Sequence, residues 1–207
     1  MKNFENFTKG RIEAFSDGVF AIVVTLLVFD IKLSKPEFPY PEIMISEIIQ
    51  LFPKILSWIS SFLIVCVIWM NHHRIFNMIS YVDFGVFWLN NILLMFTSLI
   101  PFPTGIMGTN FNNPFAVAFY GICLSFAALS FSFLRLHILK KQNIRNTDMI
   151  KINYRKDMIR SLFFGPLLYL TGAASVYFSI WTAFAVYIFI PIYFIIPQKE
   201  IEENNDV

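Results

Sequence analysis

The amino-acid sequence predicts an all-α, polytopic membrane protein with six transmembrane helices. Three observations predict this fold class: 57% of the 207 residues are hydrophobic, only 14% are charged, and apolar runs of membrane length recur along the chain. A soluble domain carries roughly a quarter charged residues, and a helix needs about 20 apolar residues to cross a bilayer. We therefore interpret residues 1–207 as a single transmembrane domain.

The predicted spans are separated by connectors that interrupt a helix. Residues 34–42 contain three prolines and cannot be helical throughout, and residues 107–113 are rich in glycine and asparagine. Near the carboxyl end, roughly 36 apolar residues make about twice the length of one crossing, which predicts two helices with a tight turn. The six predicted spans are residues 13–31, 43–69, 84–104, 114–136, 161–177 and 180–197.

The placement of lysine and arginine predicts the orientation in the membrane. Residues 135–160, between the fourth and fifth spans, hold eight of the sixteen basic residues. Cytoplasmic loops carry an excess of these residues. We therefore predict a multi-pass protein of the cell membrane, with both termini, the basic loop at 137–160 and the short tail at 198–207 in the cytoplasm. Lys32 and Lys35, in the first connector, are the exception to this pattern.

Composition also argues against several other classes of protein. A net charge of +2 is too small to predict nucleic-acid binding. Cys66 and Cys123 fall inside apolar spans, where single thiols behave as small hydrophobic residues, so we expect no disulfide. The sequence has no nucleophile–base constellation and no phosphate-binding glycine loop. We therefore predict neither an enzyme nor a resident cofactor or metal.

A group of polar residues is predicted to converge at the cytoplasmic ends of the first three helices. Polar and ionisable side chains at membrane depth need partners, so we interpret the group as a hydrogen-bonded knot between helices. Metal binding is disfavoured because the adjacent His72 and His73 point about 100° apart on a helix. A proton relay is disfavoured because no acid lies at mid-membrane. The group comprises Asp17, His72, His73, Arg74, Asn90 and Asn91.

One face of the first helix predicts either ordinary packing or a pore. At 3.6 residues per turn, Ile22, Thr25, Leu26 and Phe29 share one stripe. Copies of this stripe around an axis would form apolar rings, which can close a pore by excluding water. Thr25 would then offer the only polar contact to a passing cation. Periodicity alone leaves both interpretations open.

Three sequence blocks stand out in the first 105 residues. They are Arg11-x-x-x-Phe15-Ser16-Asp17, residues 69–74 (WMNHHR), and residues 89–90 with 99–104 (LIPFPT). The motif Arg-x-x-x-Phe-Ser-Asp is short, but it is specific when it opens a membrane helix. Together these blocks resemble the transmembrane protein 175 family, which includes lysosomal potassium channels and bacterial relatives. The resemblance covers roughly the first 105 residues by motif and the remainder by topology.

The resemblance implies a potassium-preferring cation channel, in which the first helix of each subunit of a homotetramer lines the pore. Ile22 matches the isoleucine or leucine ring at the narrowest point, and Thr25 matches the threonine tied to potassium preference. Leu26 and Phe29 lie on the same pore face, although relatives often have leucine where Phe29 stands. A permeant potassium ion would pass near Ile22 and Thr25. The implied partners are other copies of this chain, the lipid bilayer and potassium.

The resemblance also implies that the motif is structural. The residues of this implied network, which holds the first helix in place, are Arg11, Phe15, Ser16, Asp17, Trp69, His72 and Asn90. Two alternatives to a channel stay open on the sequence. One is a proton-coupled secondary transporter that uses Asp17 and His72, and the other is a non-conducting membrane scaffold whose basic loop recruits partners.

Overall fold

The computed structural model describes residues 8–33, 40–143 and 163–195, and within these ranges every regular element is a helix. The prediction of an all-α membrane protein is confirmed. The elements are α1 (Lys9–Leu26), a 3-10 helix (Leu27–Asp30), α2 (Pro41–Gln50), α3 (Phe52–Asn77), α4 (Phe84–Ser98), α5 (Pro101–Thr109), α6 (Pro114–Asn143), a π-helix (Phe163–Leu167), α7 (Leu168–Ser175) and α8 (Ile180–Ile195).

Four helical stretches are long and apolar enough to cross a membrane. Each is at least 22 residues long, whereas the apolar part of α8, Ile180–Ile192, is shorter. At 1.5 Å per residue, 22 residues reach about 33 Å, which matches a hydrocarbon core of about 30 Å. The four stretches are Lys9–Asp30, Phe52–Asn77, Phe84–Thr109 and Pro114–Lys140.

The structure divides the second predicted span, residues 43–69, into two helices. Helix α2 ends at Gln50, Leu51 joins it to α3, and α3 continues to Asn77, well beyond the predicted end. Pro53 lies in the first turn of α3, where its missing N–H costs no helical hydrogen bond. Gln50, Pro53 and Lys54 interrupt the apolar pattern at this junction and were the sequence signal for the break, but the span was predicted as one helix.

Other helices also begin or end at residues that differ from the prediction. Helix α1 begins at Lys9, four residues before the predicted start. The third predicted span breaks between Ser98 and Pro101, and α5 then continues to Thr109, inside the predicted connector. Helix α6 extends to Asn143, so the first seven residues of the predicted basic loop are helical. The rest of that loop, residues 144–160, and the predicted tail lie outside the described residues.

The helices run in alternating directions, so the bundle has two distinct ends. At one end the start of α4 meets α6, where Asp83 Oδ1 lies 3.4 Å from His137 Nε2. At the other end the start of α3 meets α5, where a Cβ built on Gly108 would lie 3.1 Å from the Lys54 Cα. The turn between α7 and α8 belongs to this second end, because Phe111 packs edge-on against Trp181 there. We call these the Asp83 end and the Lys54 end.

A buried polar triad joins three helices in the core. The Ser61 hydroxyl on α3 lies 2.8 Å from both Thr104 Oγ1 on α5 and the Tyr120 hydroxyl on α6. Tyr120 packs edge-on against Tyr187 of α8, whose hydroxyl donates to the Val117 carbonyl at 3.1 Å. These contacts fix α3, α5, α6 and α8 relative to one another. Helix α1 packs on one member of this frame, α3, and on α4.

Candidate functional site

Helix α1 and the 3-10 helix that continues it have one face buried and one face exposed among the described residues. The buried residues recur every three or four positions and pack against α3 and α4, as expected for one stripe of a 3.6-residue helix. The opposite stripe is open along the whole helix. The buried residues are Ile12, Ser16, Phe20, Val23 and Leu27, and the exposed stripe comprises Arg11, Phe15, Gly18, Ile22, Thr25, Leu26 and Phe29.

The exposed stripe contains all of the residues predicted to line a pore. Ile22 is 59% exposed, Leu26 is 44% exposed and Phe29 is 63% exposed in the protomer. Scattered apolar side chains on a surface are ordinary, but a continuous helical face of them marks a contact with another protein or with membrane. Because the other face of α1 is fixed by its packing, the direction in which this stripe points is also fixed.

Thr25 lies among these apolar side chains with its hydroxyl oriented by the backbone. Its Oγ1 donates a hydrogen bond to the Ile22 carbonyl oxygen at 2.8 Å. The hydroxyl proton is thereby turned toward the helix, and the oxygen lone pairs remain for a ligand. An exposed hydroxyl in this state can contact a cation through its oxygen.

A chain of hydrogen bonds links α1, α4 and α3 near the Asp83 end. Ser16 Oγ donates to the Ile12 carbonyl at 2.8 Å, and Asn90 Nδ2 donates to Ser16 Oγ at 3.0 Å. Because the Asn90 amino group faces Ser16, its Oδ1 faces His72 Nε2 at 2.8 Å, and this ring nitrogen must carry the proton. All three of these side chains are buried. We call Ser16, His72 and Asn90 the buried anchor.

Aromatic rings enclose the His72 side chain. Phe20 of α1 lies 5.4 Å from the His72 ring, measured between ring centroids. Phe76, one turn further along α3, stacks on it at 4.2 Å. The imidazole is therefore held both by its hydrogen bond and by its packing. Such a group fixes the separation of three helices because each polar atom needs its partner in place.

Asp17, the residue after Ser16, makes its hydrogen bond to α3 and not to α4. Trp69 Nε1 on α3 donates to Asp17 Oδ1 at 2.9 Å, and both side chains are exposed in the protomer. The Trp69 ring also lies 6.4 Å from the His73 ring, and His73 Nε2 is 3.1 Å from Asn77 Nδ2. Asp17 and Trp69 therefore form a second, outer tie between α1 and α3.

The structure divides the predicted polar group. Asn91 bonds to the Phe87 carbonyl of its own helix, and His73 bonds to Asn77, so neither joins the buried anchor.

Arg11 and Phe15 lie on the exposed stripe of α1; Phe15 is 60% exposed. Phe15 is therefore exposed among the described residues, and its part in the implied network stays a prediction. In the described ranges, no three His, Cys, Asp or Glu side chains group closely enough to hold a metal ion.

The interaction between Asp83 and His137 was not predicted from the sequence. Asp83 caps α4 by accepting from the Val86 N–H at 2.7 Å, and His137 of α6 approaches the same carboxylate oxygen. Gly85 makes this approach possible, since a Cβ there would lie 2.5 Å from His137 Nε2. An aspartate immediately before an apolar helical run is a signal for the cap. His137 had no comparable signal because its segment was predicted to be a loop.

Comparison with known proteins places this architecture in a family. The family described as "Endosomal/lysosomal potassium channel TMEM175" matches residues 11–101. A protein from Chamaesiphon minutus named as a potassium channel is 35% identical over 201 residues, which cover 92% of this chain and 95% of that protein. A chicken protein named as an endosomal/lysosomal proton channel, TMEM175, is 25% identical, and the match covers 84% of this chain and 35% of that protein.

A solved structure has the same fold. The crystal structure of a lysosomal potassium-selective channel TMEM175 homolog from Chamaesiphon minutus superposes with a TM-score of 0.74 at 33% sequence identity. The superposition covers 90% of this chain and 96% of that one. These matches extend well beyond the Arg-x-x-x-Phe-Ser-Asp motif and confirm the predicted resemblance. The chain therefore belongs to the TMEM175 family of ion channels.

Proposed function

We propose that this protein is a potassium-preferring cation channel in which four copies of α1 surround a central pore. One observation carries the proposal: the buried face of α1 is fixed by packing and by the buried anchor, while its opposite, largely apolar face is exposed among the described residues. The relative from Chamaesiphon minutus, named as a potassium channel, supports the ion. Flow through such a pore is passive, driven by the ion gradient.

The gate in this proposal is a set of apolar rings. Ile22 of each subunit forms the narrowest ring, and Leu26 and Phe29 extend the constriction toward the Lys54 end. An apolar constriction blocks ions because water leaves it and a dehydrated ion has no replacement ligands there. The exposure of all three side chains in the protomer supports this assignment.

The proposed selectivity element is the Thr25 hydroxyl. It lies between Ile22 and Leu26 along α1 and keeps its oxygen lone pairs available, because its proton is used by the Ile22 carbonyl. Four such oxygens would replace part of the hydration shell of an ion in transit. A larger, more weakly hydrated ion such as potassium loses its water at lower cost, so partial replacement favours it over sodium.

We also propose six membrane crossings, with both termini on the cytoplasmic side of the cell membrane. Four crossings are supported by helix length and hydropathy. The fifth would consist of Phe163–Leu167 with α7, and the sixth of α8, joined by a turn in which the Phe178 N–H bonds to the Ser175 carbonyl at 3.0 Å. The Asp83 end, where α6 carries Arg135 and Lys140, would face the cytoplasm.

The decisive experiment compares potassium and sodium flux through the purified protein in liposomes, beside the mass of the detergent-solubilised oligomer. We expect a tetramer whose potassium flux exceeds its sodium flux, does not saturate and needs no pH gradient. Flux that saturates and requires a pH gradient would indicate a carrier. A protein that conducts no monovalent cation would be a scaffold.

Proton conduction is a second candidate, because the chicken relative is named as a proton channel. The same liposomes, given a pH gradient with a potassium ionophore and a proton-sensitive dye, measure it directly. A carrier that couples protons through Asp17 and His72 has less support. His72 bonds to Asn90 and Asp17 bonds to Trp69, so the two side chains belong to separate ties between the helices.

Replacing Thr25 with valine tests the selectivity element. Valine has nearly the same shape but no oxygen, so we expect the potassium-to-sodium permeability ratio, measured from reversal potentials, to fall several-fold. Thr25→Ser is the matched control, because serine keeps the hydroxyl and should retain most of the preference. An unchanged ratio in Thr25→Val would remove Thr25 from the selectivity mechanism.

A further inference from the structure

Helix α2, Pro41–Gln50, packs differently from the membrane-spanning helices. None of its ten residues is buried, and its packing within the bundle is against α3, the helix that follows it. At 1.5 Å per residue it is about 15 Å long, half of what is needed to cross a hydrocarbon core of about 30 Å. Helix α2 is therefore neither a membrane span nor part of the core.

The residues of α2 divide into an apolar and a polar face. Successive residues turn by about 100°, so Met44, Ile45, Ile48 and Ile49 fall on one side. All four are large apolar side chains more than 40% exposed, and Ile49 is 66% exposed. The opposite side carries Glu42, Ser46, Glu47 and Gln50, with Ile43 as its one apolar side chain.

Polar contacts on α2 stay on the polar side. Gln50 Nε2 donates to Ser46 Oγ at 3.4 Å, one turn earlier on the same face. The helix contains two glutamates and no lysine or arginine. Its apolar face is therefore uninterrupted by charge. Its polar face has no cation of its own with which to attract anionic lipids.

The position of α2 in the chain places it at the edge of the bilayer. It stands between the spanning stretches Lys9–Asp30 and Phe52–Asn77, at the Lys54 end of the bundle. Tyrosine and tryptophan gather at membrane–water boundaries because their rings are amphipathic. Exposed residues of these two types mark the Lys54 end just before α2 and at the turn that leads into α8: they are Tyr40, Tyr177 and Trp181.

We propose that α2 lies flat in the lipid headgroup region at the Lys54 end, with Met44, Ile45, Ile48 and Ile49 inserted toward the acyl chains. A helix with one apolar and one polar face binds in the plane of a membrane surface in this way. Because its charges are negative, binding rests on apolar burial, and zwitterionic lipid is sufficient. The occupant of this face is lipid and not a second copy of the chain.

Nitroxide spin labels on the two faces test this directly in full-length protein reconstituted into phosphatidylcholine vesicles. Cys66 and Cys123 are first replaced with alanine, and single cysteines are then introduced as Ile45→Cys, Ile48→Cys, Ser46→Cys and Gln50→Cys. All four positions are exposed or half-buried, so labelling should leave the fold intact. Collision rates with oxygen, which concentrates in lipid, and with a water-soluble nickel chelate are measured at each site.

We expect the ratio of oxygen to nickel collisions to be several-fold higher at residues 45 and 48 than at residues 46 and 50. Equal, nickel-dominated collisions at all four sites would show that α2 lies in water and would overturn the proposal. Labels at 45 and 48 that are shielded from both reagents, with spectra broadened by spin–spin coupling, would assign the face to another copy. That result would also overturn the proposal.

Discussion

Replacing Ile22 with asparagine should raise potassium flux about tenfold and weaken discrimination against sodium. A tenfold change corresponds to lowering the barrier by about 1.4 kcal/mol. In the proposed pore the barrier is the cost of bringing an ion through a ring that excludes water, and four amide groups would hold water there. Ile22 is 59% exposed in the protomer, so the substitution should not disturb the packing of α1.

The control for Ile22→Asn is the same change at an exposed isoleucine elsewhere. Ile92 on α4 is 40% exposed and lies away from the exposed stripe of α1. Ile92→Asn should leave both flux and ion preference unchanged. Both variants are measured in liposomes at equal protein density, with potassium or sodium as the permeant ion. Flux through Ile22→Asn equal to that of the unmodified protein would show that Ile22 is not the constriction.

Replacing Asn90 with leucine should lower stability by about 2–4 kcal/mol. The change removes two buried hydrogen bonds and leaves the His72 N–H without an acceptor, and an unsatisfied buried donor costs more than the bond itself. Ser16 keeps its bond to the Ile12 carbonyl and is not left unsatisfied. For a chain of this length the change corresponds to a fall in melting temperature of roughly 5–10 °C in detergent.

The neighbouring asparagine provides the control for this change. Asn91 bonds to the Phe87 carbonyl within α4, so Asn91→Leu should shift the melting temperature far less. If the orphaned His72 donor carries the cost, the double variant His72→Phe with Asn90→Leu should be more stable than Asn90→Leu alone. Equal melting temperatures for Asn90→Leu and Asn91→Leu would mean that the buried anchor contributes little to stability.

The sequence was sufficient to predict the fold class and two members of the buried anchor. Membrane-length apolar runs identify the helices, and isolated polar residues within them must find partners, which led to His72 and Asn90 but also to His73 and Asn91, whose bonds stay within their own helices. Ser16 was placed beside them by the family resemblance. The 3.6-residue period put Ile22, Thr25, Leu26 and Phe29 on one stripe, but it left open whether that stripe packs inward or lines a pore. These inferences depend on local chemistry, which sequence records directly.

Features that depend on packing in three dimensions were not predictable. The break at Leu51 was not predicted although Pro53 and Lys54 interrupt the apolar run there, because a proline can either kink one helix or open a new one. The approach of His137 to Asp83 depends on the space above Gly85, which becomes evident only when α4 and α6 are placed together. Similarly, the division between Asn90 and Asn91 depends on which of two neighbouring amides faces α3.

The different directions of the bonds made by Ser16 and Asp17 have a consequence for how this helix can change over evolution. Ser16 and Asp17 tie adjacent positions of α1 to α4 and α3, which fixes the rotation of α1 about its own axis. That rotation sets the direction of the Ile22 side chain, five positions after Asp17. An insertion of one residue between Asp17 and Ile22 would leave both ties intact and turn Ile22 by about 100°. The number of residues between Asp17 and Ile22 is therefore more tightly constrained than the identity of those residues.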